Sequence, residues 1–141
     1  MTIPDPEVGL VVHFNYLWDR EREAGREEAR YARPCAIVIS FRRVADGARV
    51  AMLAPITHAP PRPGDQVLEL PQAVKRQLGL DEQRSWIVLD EVNETLWPGF
   101  DLQTNSKGDY AYGFVPPRLY AEVKTRILDL YRIGELKRVT R

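Results

Sequence analysis

Arg33-Pro34-Cys35-Ala36-Ile37-Val38-Ile39-Ser40-Phe41 is the stretch from which the architecture can be read. Pro34 opens a β-rich apolar run that is too short for a helix and has the length of a strand buried on both faces. Working towards the C-terminus, Ala45-Asp46-Gly47-Ala48 reads as a turn into a neighbouring strand, Arg49 to Thr57. That strand contains Pro55, which cannot donate to a central ladder, so its end is expected at an edge or a bulge. Working towards the N-terminus, Leu10, Val12, Phe14 and Tyr16 alternate with Val11, His13 and Asn15. A two-residue period marks a half-buried strand, with His13 and Asn15 facing away from the core.

Between these strands lies Trp18 to Arg30, which carries charges of both signs, a central Gly25 and no apolar stripe. It reads as a long mobile loop over 17–32 with at most one helical turn. Beyond the breaker cluster Pro60-Pro61-Arg62-Pro63-Gly64-Asp65, a short strand is expected over Gln66–Leu70. A short helix follows between Pro71 and Gly79, proline first and glycine after. Ser85 to Asp90 is another strand, which Val92 to Trp97 continues past a bend; Asp101 to Tyr110 is polar loop, and Tyr112 to Val115 is extended. Pro116-Pro117 starts a helix to about residue 131 whose Leu119, Val123, Ile127 and Leu130 form a stripe facing a core or a partner. The reading is mainly β, one domain over 1–141, with a short internal helix and a C-terminal helix.

Composition bounds the function. With 141 residues, 44% hydrophobic and 28% charged, the chain has the make-up of a soluble globular domain. No apolar run approaches the roughly 18 residues of a membrane span. The start lacks a basic and apolar secretory leader, and the single Cys35 forms no internal disulfide, so a reducing cytoplasm is expected. Twenty basic residues balance twenty acidic ones, which excludes a globally basic nucleic-acid coat. The balance is a sum of opposed regions: Arg42, Arg43, Arg49 and Arg62 outnumber Asp46, whereas Asp81 to Asp109 is strongly acidic. Such separation either orients a charged partner or reflects solvated loops.

Phosphate loops, paired-cysteine zinc spacings, metalloprotease helices and nucleophile elbows are all missing, so no metal or nucleotide cofactor is expected. Cys35 in an apolar strand reads as an inert thiol. His13 and His58 are candidate acid-base groups, although an isolated histidine is more often a surface or capping residue, and Trp18, Trp86 and Trp97 could stack bases, with core or interface packing expected for Trp86 and Trp97. The polar residues at strand ends stand out: Arg33, Thr57 with His58, and Asp90-Glu91. A guanidinium binds phosphate bidentately and stays charged, so Arg33 suits a phosphodiester or, equally, an ion pair with the acidic loop.

The order of these pieces resembles the MazF/PemK family of bacterial toxin endoribonucleases. Gly25-Arg26-Glu27 followed by Arg33-Pro34 and the strand ending at Ser40 resembles the family's Gly-x-Glu loop, Arg-Pro and hydrophobic strand. Pro55-Ile56-Thr57 resembles its strand end, and Val88 to Trp97 its Asp-Gln-x-basic segment. The resemblance implies a small SH3-like antiparallel barrel (MazF/PemK/CcdB-type), a homodimer and an antitoxin protein. It implies cleavage of single-stranded RNA (mRNA) without metal, by 2′-hydroxyl attack, to a cyclic phosphate and a 5′-hydroxyl. Arg33 would stabilise the phosphorane charge, Thr57 would hold the phosphate, and Glu27 would be the base. The substrate would be contacted by Asp90, His58, His13, Asn15, Arg30 and Trp18. Two departures remove positive charge: Val8-Gly9-Leu10 replaces a basic start, and Asp90-Glu91-Val92-Asn93 ends without its cation. They motivate a second reading from another class, a non-catalytic barrel that acts by binding, either a degenerate toxin or a poison of a topoisomerase-like protein. A third is a housekeeping interaction domain.

Overall fold

The computed structural model describes residues 2–29 and 31–141. Its strands are β1 (Leu10–Asn15), β2 (Ala32–Arg42), β3 (Arg49–Thr57), β4 (Val67–Glu69), β5 (Trp86–Val88), β6 (Glu91–Leu96), β7 (Leu102–Gln103), β8 (Ala111–Phe114) and β9 (Lys137–Thr140). Three helices accompany them: α1 (Asp19–Glu23), α2 (Gln72–Gln77) and α3 (Pro117–Arg132). The strands form one sheet in the order β4-β5-β3-β2-β1-β7, with β6 also on β3, β8 also on β1 and β9 on β6. Every pair is antiparallel except β6–β9. Among the described residues no pairing joins the ends of this order, so the sheet is mainly β but open, and a closed barrel is not observed.

The β2–β3 hairpin is the spine. Its turn closes through Gly47, whose φ of +71° suits a residue without Cβ, and Arg43 N–H donates to the Ala48 carbonyl at 2.8 Å. Cys35 to Val38 are buried, so the two-sided burial read from this run is observed. The register shifts between Ile37↔Leu53 and Ile39↔Met52. This bulge at Val38 puts Val38 and Ile39 on the same side of the sheet, against α2 and α3. The Tyr120 hydroxyl of α3 donates to the Val38 carbonyl at 2.8 Å there.

Each face of the central strands carries its own core. Val11, Ala36, Ala54 and Ile56 pack with Val123, Ile127 and Leu130 of α3, so the helix stripe faces a core. Val12, Phe14, Cys35, Ile37 and Leu53 pack on the other face with Tyr16, Trp18 and Trp97. β1 is therefore buried on both faces: Val11, expected outward, is fully buried under the helices. Pro55 is not at an edge. β3 pairs with β6 over Val50–Leu53 and with β5 at Ile56 and Thr57, so Ala54 and Pro55 occupy the change of partner, where no ladder on that side asks for an N–H.

Two short elements escaped the pattern. Within the expected 101–110 loop, β7 pairs His13 with Gln103. After α3, β9 runs parallel to β6, its only buried residue Val139, too short a signal to read as a strand. The segment expected as a mobile loop carries α1 and is anchored by buried Trp18 and Asp19. No helix among the described residues is long and apolar enough to cross a membrane.

Candidate functional site

Trp18 organises the site. Just before it, the buried amide of Asn93 clamps the backbone of Leu17: Oδ1 accepts the Leu17 N–H at 2.8 Å and Nδ2 donates to its carbonyl at 2.7 Å. Glu21 then accepts the Trp18 N–H at 3.1 Å, which closes the first turn of α1. So held, the indole is 9% exposed and meets the Tyr16 ring edge-on at 5.0 Å. Two guanidinium groups lie over it, Arg20 at 4.8 Å and Arg33 at 5.1 Å from the ring centroid. Among the described residues Arg33 has no ion-pair partner, and its Nε is buried without a hydrogen bond. The Nε of Arg26 is likewise buried without a hydrogen-bond partner, and both arginines line one hollow of about 400 Å³ with Tyr31.

Thr57 stands at the end of β3. Extending the Cys35↔Pro55 register by one same-face step sets Arg33 across from Thr57, so the two share a face. Thr57 lines a hollow of about 490 Å³ with Asp90, Glu91 and Arg62, and Trp18 and Arg20 line this hollow and the Arg33 hollow alike. Glu91 is fixed by its Oε2, which accepts the Tyr16 hydroxyl at 2.9 Å and the Asp19 N–H at 3.1 Å. Burial raises the Glu91 carboxyl above its ordinary pKa, with the neighbouring Asp90 and Asp19 charges acting in the same direction. Burial also raises Asp90.

His58 follows the end of β3 and lines a different hollow from Thr57. It lines a hollow of about 410 Å³ together with Arg33, Asp81 and Tyr112. Its Nε2 lies 2.9 Å and 3.1 Å from the two carboxylate oxygens of Asp81. Asp81 Oδ1 in turn accepts the Nζ of Lys75 at 2.9 Å and the Gln83 N–H at 3.1 Å, and the Lys75 side chain is only 1% exposed. Tyr112 bonds His13 Nδ1 at 2.8 Å, and burial lowers the pKa of this imidazole.

Other expected residues lie elsewhere. Glu27 is exposed and lines a separate hollow of about 380 Å³ with Arg141 and Asp101. Asn15 lies outside these hollows, and its carbonyl accepts Arg141 Nη1 at 2.7 Å. Arg30 falls outside the described residues. Trp86 and Trp97 are buried core residues, and burial pushes the Cys35 thiol up, as an inert thiol requires. Arg20 and Asp81 are the residues that the linear reading passed over, and Glu91, singled out with Asp90 at a strand end, was given no role there. Arg20 stands two places from Trp18 and Glu91 beside Asp90, but nothing in the order of residues joins Asp81 to His58. Fold and site together define a mainly β protein with an arginine-and-tryptophan cleft at one sheet end. No family model, curated protein or solved structure matches the chain.

Proposed function

We propose that this cleft binds single-stranded RNA and that the protein is a metal-independent endoribonuclease of the toxin type. One observation carries the reading: Arg33, without an ion-pair partner among the described residues, lies over the Trp18 ring in a hollow that Arg20 and Arg26 also line. Free guanidinium donors beside aromatic rings suit a chain of alternating phosphates and bases. In this mechanism Arg33 and Thr57 hold the scissile phosphate and Trp18 stacks a base. Glu91, rather than Glu27, takes the 2′-hydroxyl proton, because Glu91 lines the hollow beside Thr57 and a raised carboxyl pKa favours proton acceptance near neutrality. The 2′-oxygen attacks phosphorus, the bond to the 5′-oxygen breaks, and a cyclic phosphate and a 5′-hydroxyl result. Within this proposal belong a small SH3-like barrel of MazF/PemK type, a homodimer, a cytoplasmic location and an antitoxin whose acidic segment fills the arginine-lined cleft.

The test is cleavage of a long, weakly structured RNA in EDTA, with the new ends identified chemically. Wild type yields cyclic phosphate and 5′-hydroxyl ends, and Arg33→Ala loses about a hundredfold to a thousandfold in rate, the scale of removing one positioned donor to a developing oxyanion. Thr57→Ala is slowed in the same assay. Equal cleavage by wild type and both variants overturns the assignment. A second reading, a non-catalytic barrel that acts by binding a protein target, is favoured by the carboxylates of Asp65, Asp90 and Glu91 around Thr57, which repel a polyanion. Growth arrest by the expressed chain with intact cellular RNA would select it.

A further inference from the structure

Arginine is a poor proton donor because its pKa lies above 12, so a cleft built on Arg33 still needs a group to protonate the leaving oxygen. The chain carries such a group on the far side of Arg33. Thr57, the last residue of β3, and His58, the residue after it, line different hollows, and Arg33 lines the hollow of His58 as well as the one beside Trp18. A carboxylate only accepts hydrogen bonds, so at its contact with Asp81 the Nε2 of His58 carries the hydrogen. Nδ1, which has no partner among the described residues, is then the nitrogen open to a substrate oxygen. Asp81 cannot swing away, because it is pinned from beneath by the buried ammonium of Lys75 and by the Gln83 N–H. An ion pair as exposed as His58–Asp81, about half open on each side, contributes little to stability. What the arrangement does fix is the direction of the imidazole.

Resting on the ribonuclease reading above, we propose that His58 is a catalytic residue, the proton donor to the leaving 5′-oxygen, and that Asp81 is its positioning residue. In-line displacement puts the attacking and leaving oxygens on opposite sides of phosphorus. Glu91 serves the first from the hollow it lines with Thr57, and His58 serves the second from the separate hollow it lines with Arg33. As the bond from phosphorus to the 5′-oxygen breaks, its electron pair goes to that oxygen, which takes the proton from His58 Nδ1. The imidazole is left neutral and the 2′-hydroxyl proton rests on Glu91.

The experiment compares two RNAs that differ only in the scissile 5′-oxygen, which in one is replaced by sulfur. A thiolate leaves without protonation, so it bypasses the donor. His58→Ala is expected to slow cleavage of the all-oxygen RNA about a hundredfold or more, while the sulfur-linked RNA stays within about threefold of wild type. Asp81→Asn gives the same pattern with a smaller loss, and Arg33→Ala slows both substrates. Equal slowing of both substrates by His58→Ala, or no slowing of either, overturns the donor role and leaves the ribonuclease reading standing. Wild type that cuts neither RNA overturns the ribonuclease reading and the donor role with it.

Discussion

At the scale of single residues, Glu91 shows a conflict between stability and chemistry. Its carboxyl is raised by burial, so the fold favours the protonated form over the charged one. Above the raised pKa the folded state bears the cost of a buried charge, and this cost fades as pH falls towards the ordinary value of 4.5. Glu91→Gln keeps an acceptor for Tyr16 and Asp19 and removes the charge. We expect its melting temperature at pH 7 to exceed that of wild type by up to about 3 °C, the scale of 1 kcal/mol in a domain of this size. The gain should shrink as pH is lowered from above the raised pKa towards 4.5, and calorimetry across that window checks the sign. RNA cleavage by the same variant should fall about a hundredfold or more. A variant that is less stable at pH 7 would mean that the hydrogen bonds to the carboxylate outweigh its burial.

At the scale of elements, the segment from Leu17 to Glu23 is tied down by two distant side chains, Glu91 at the Asp19 N–H and Asn93 at the Leu17 backbone. In the sequence, Asn93 stands out for the cation it lacks against the toxin pattern; in the fold its amide is fully buried and spent on the Leu17 backbone. Asn93→Ala strands the Leu17 N–H and carbonyl without partners, at about 1–3 kcal/mol for each buried group. The expected outcome is a protein destabilised by about 3 kcal/mol in urea titration, with α1 loosened. Limited trypsin digestion should then cut faster at Arg20, Arg22 and Arg26 than in wild type. Unchanged protection of α1 would show that buried Trp18 and the Glu91 contact suffice to hold the segment.

For the whole molecule, the apolar stripe of α3 settles where the helix belongs. Val123, Ile127 and Leu130 are buried against the sheet within one chain, so they are not the surface that a second copy would cover. Ile127→Ala should lower stability by about 2–5 kcal/mol through lost burial and a residual cavity. Urea unfolding measures that loss, and sedimentation should show the same mass for the variant as for wild type. A shift in mass would place α3 in an intermolecular contact.

Strand character around Cys35, the turn at Gly47, the helix after Pro71 and the helix stripe from Leu119 to Leu130 were legible in the residues alone. Periodicity and the φ preferences of proline and glycine act locally, over a few residues. The places of Arg33 and Thr57 near strand ends were also legible, because the apolar runs beside them show where the strands begin and stop. The rest was decided by tertiary structure, for reasons that are not local. The Val38 bulge reassigns faces, the change of partner on β3 makes room for Pro55, and β9 acquires its strand only by lying on β6. Trp18 meets Arg33, Glu91 meets Tyr16, and Asp81 meets His58 across separations of 15, 75 and 23 residues. Such meetings follow from how the sheet brings distant segments together, which no spacing along the chain encodes.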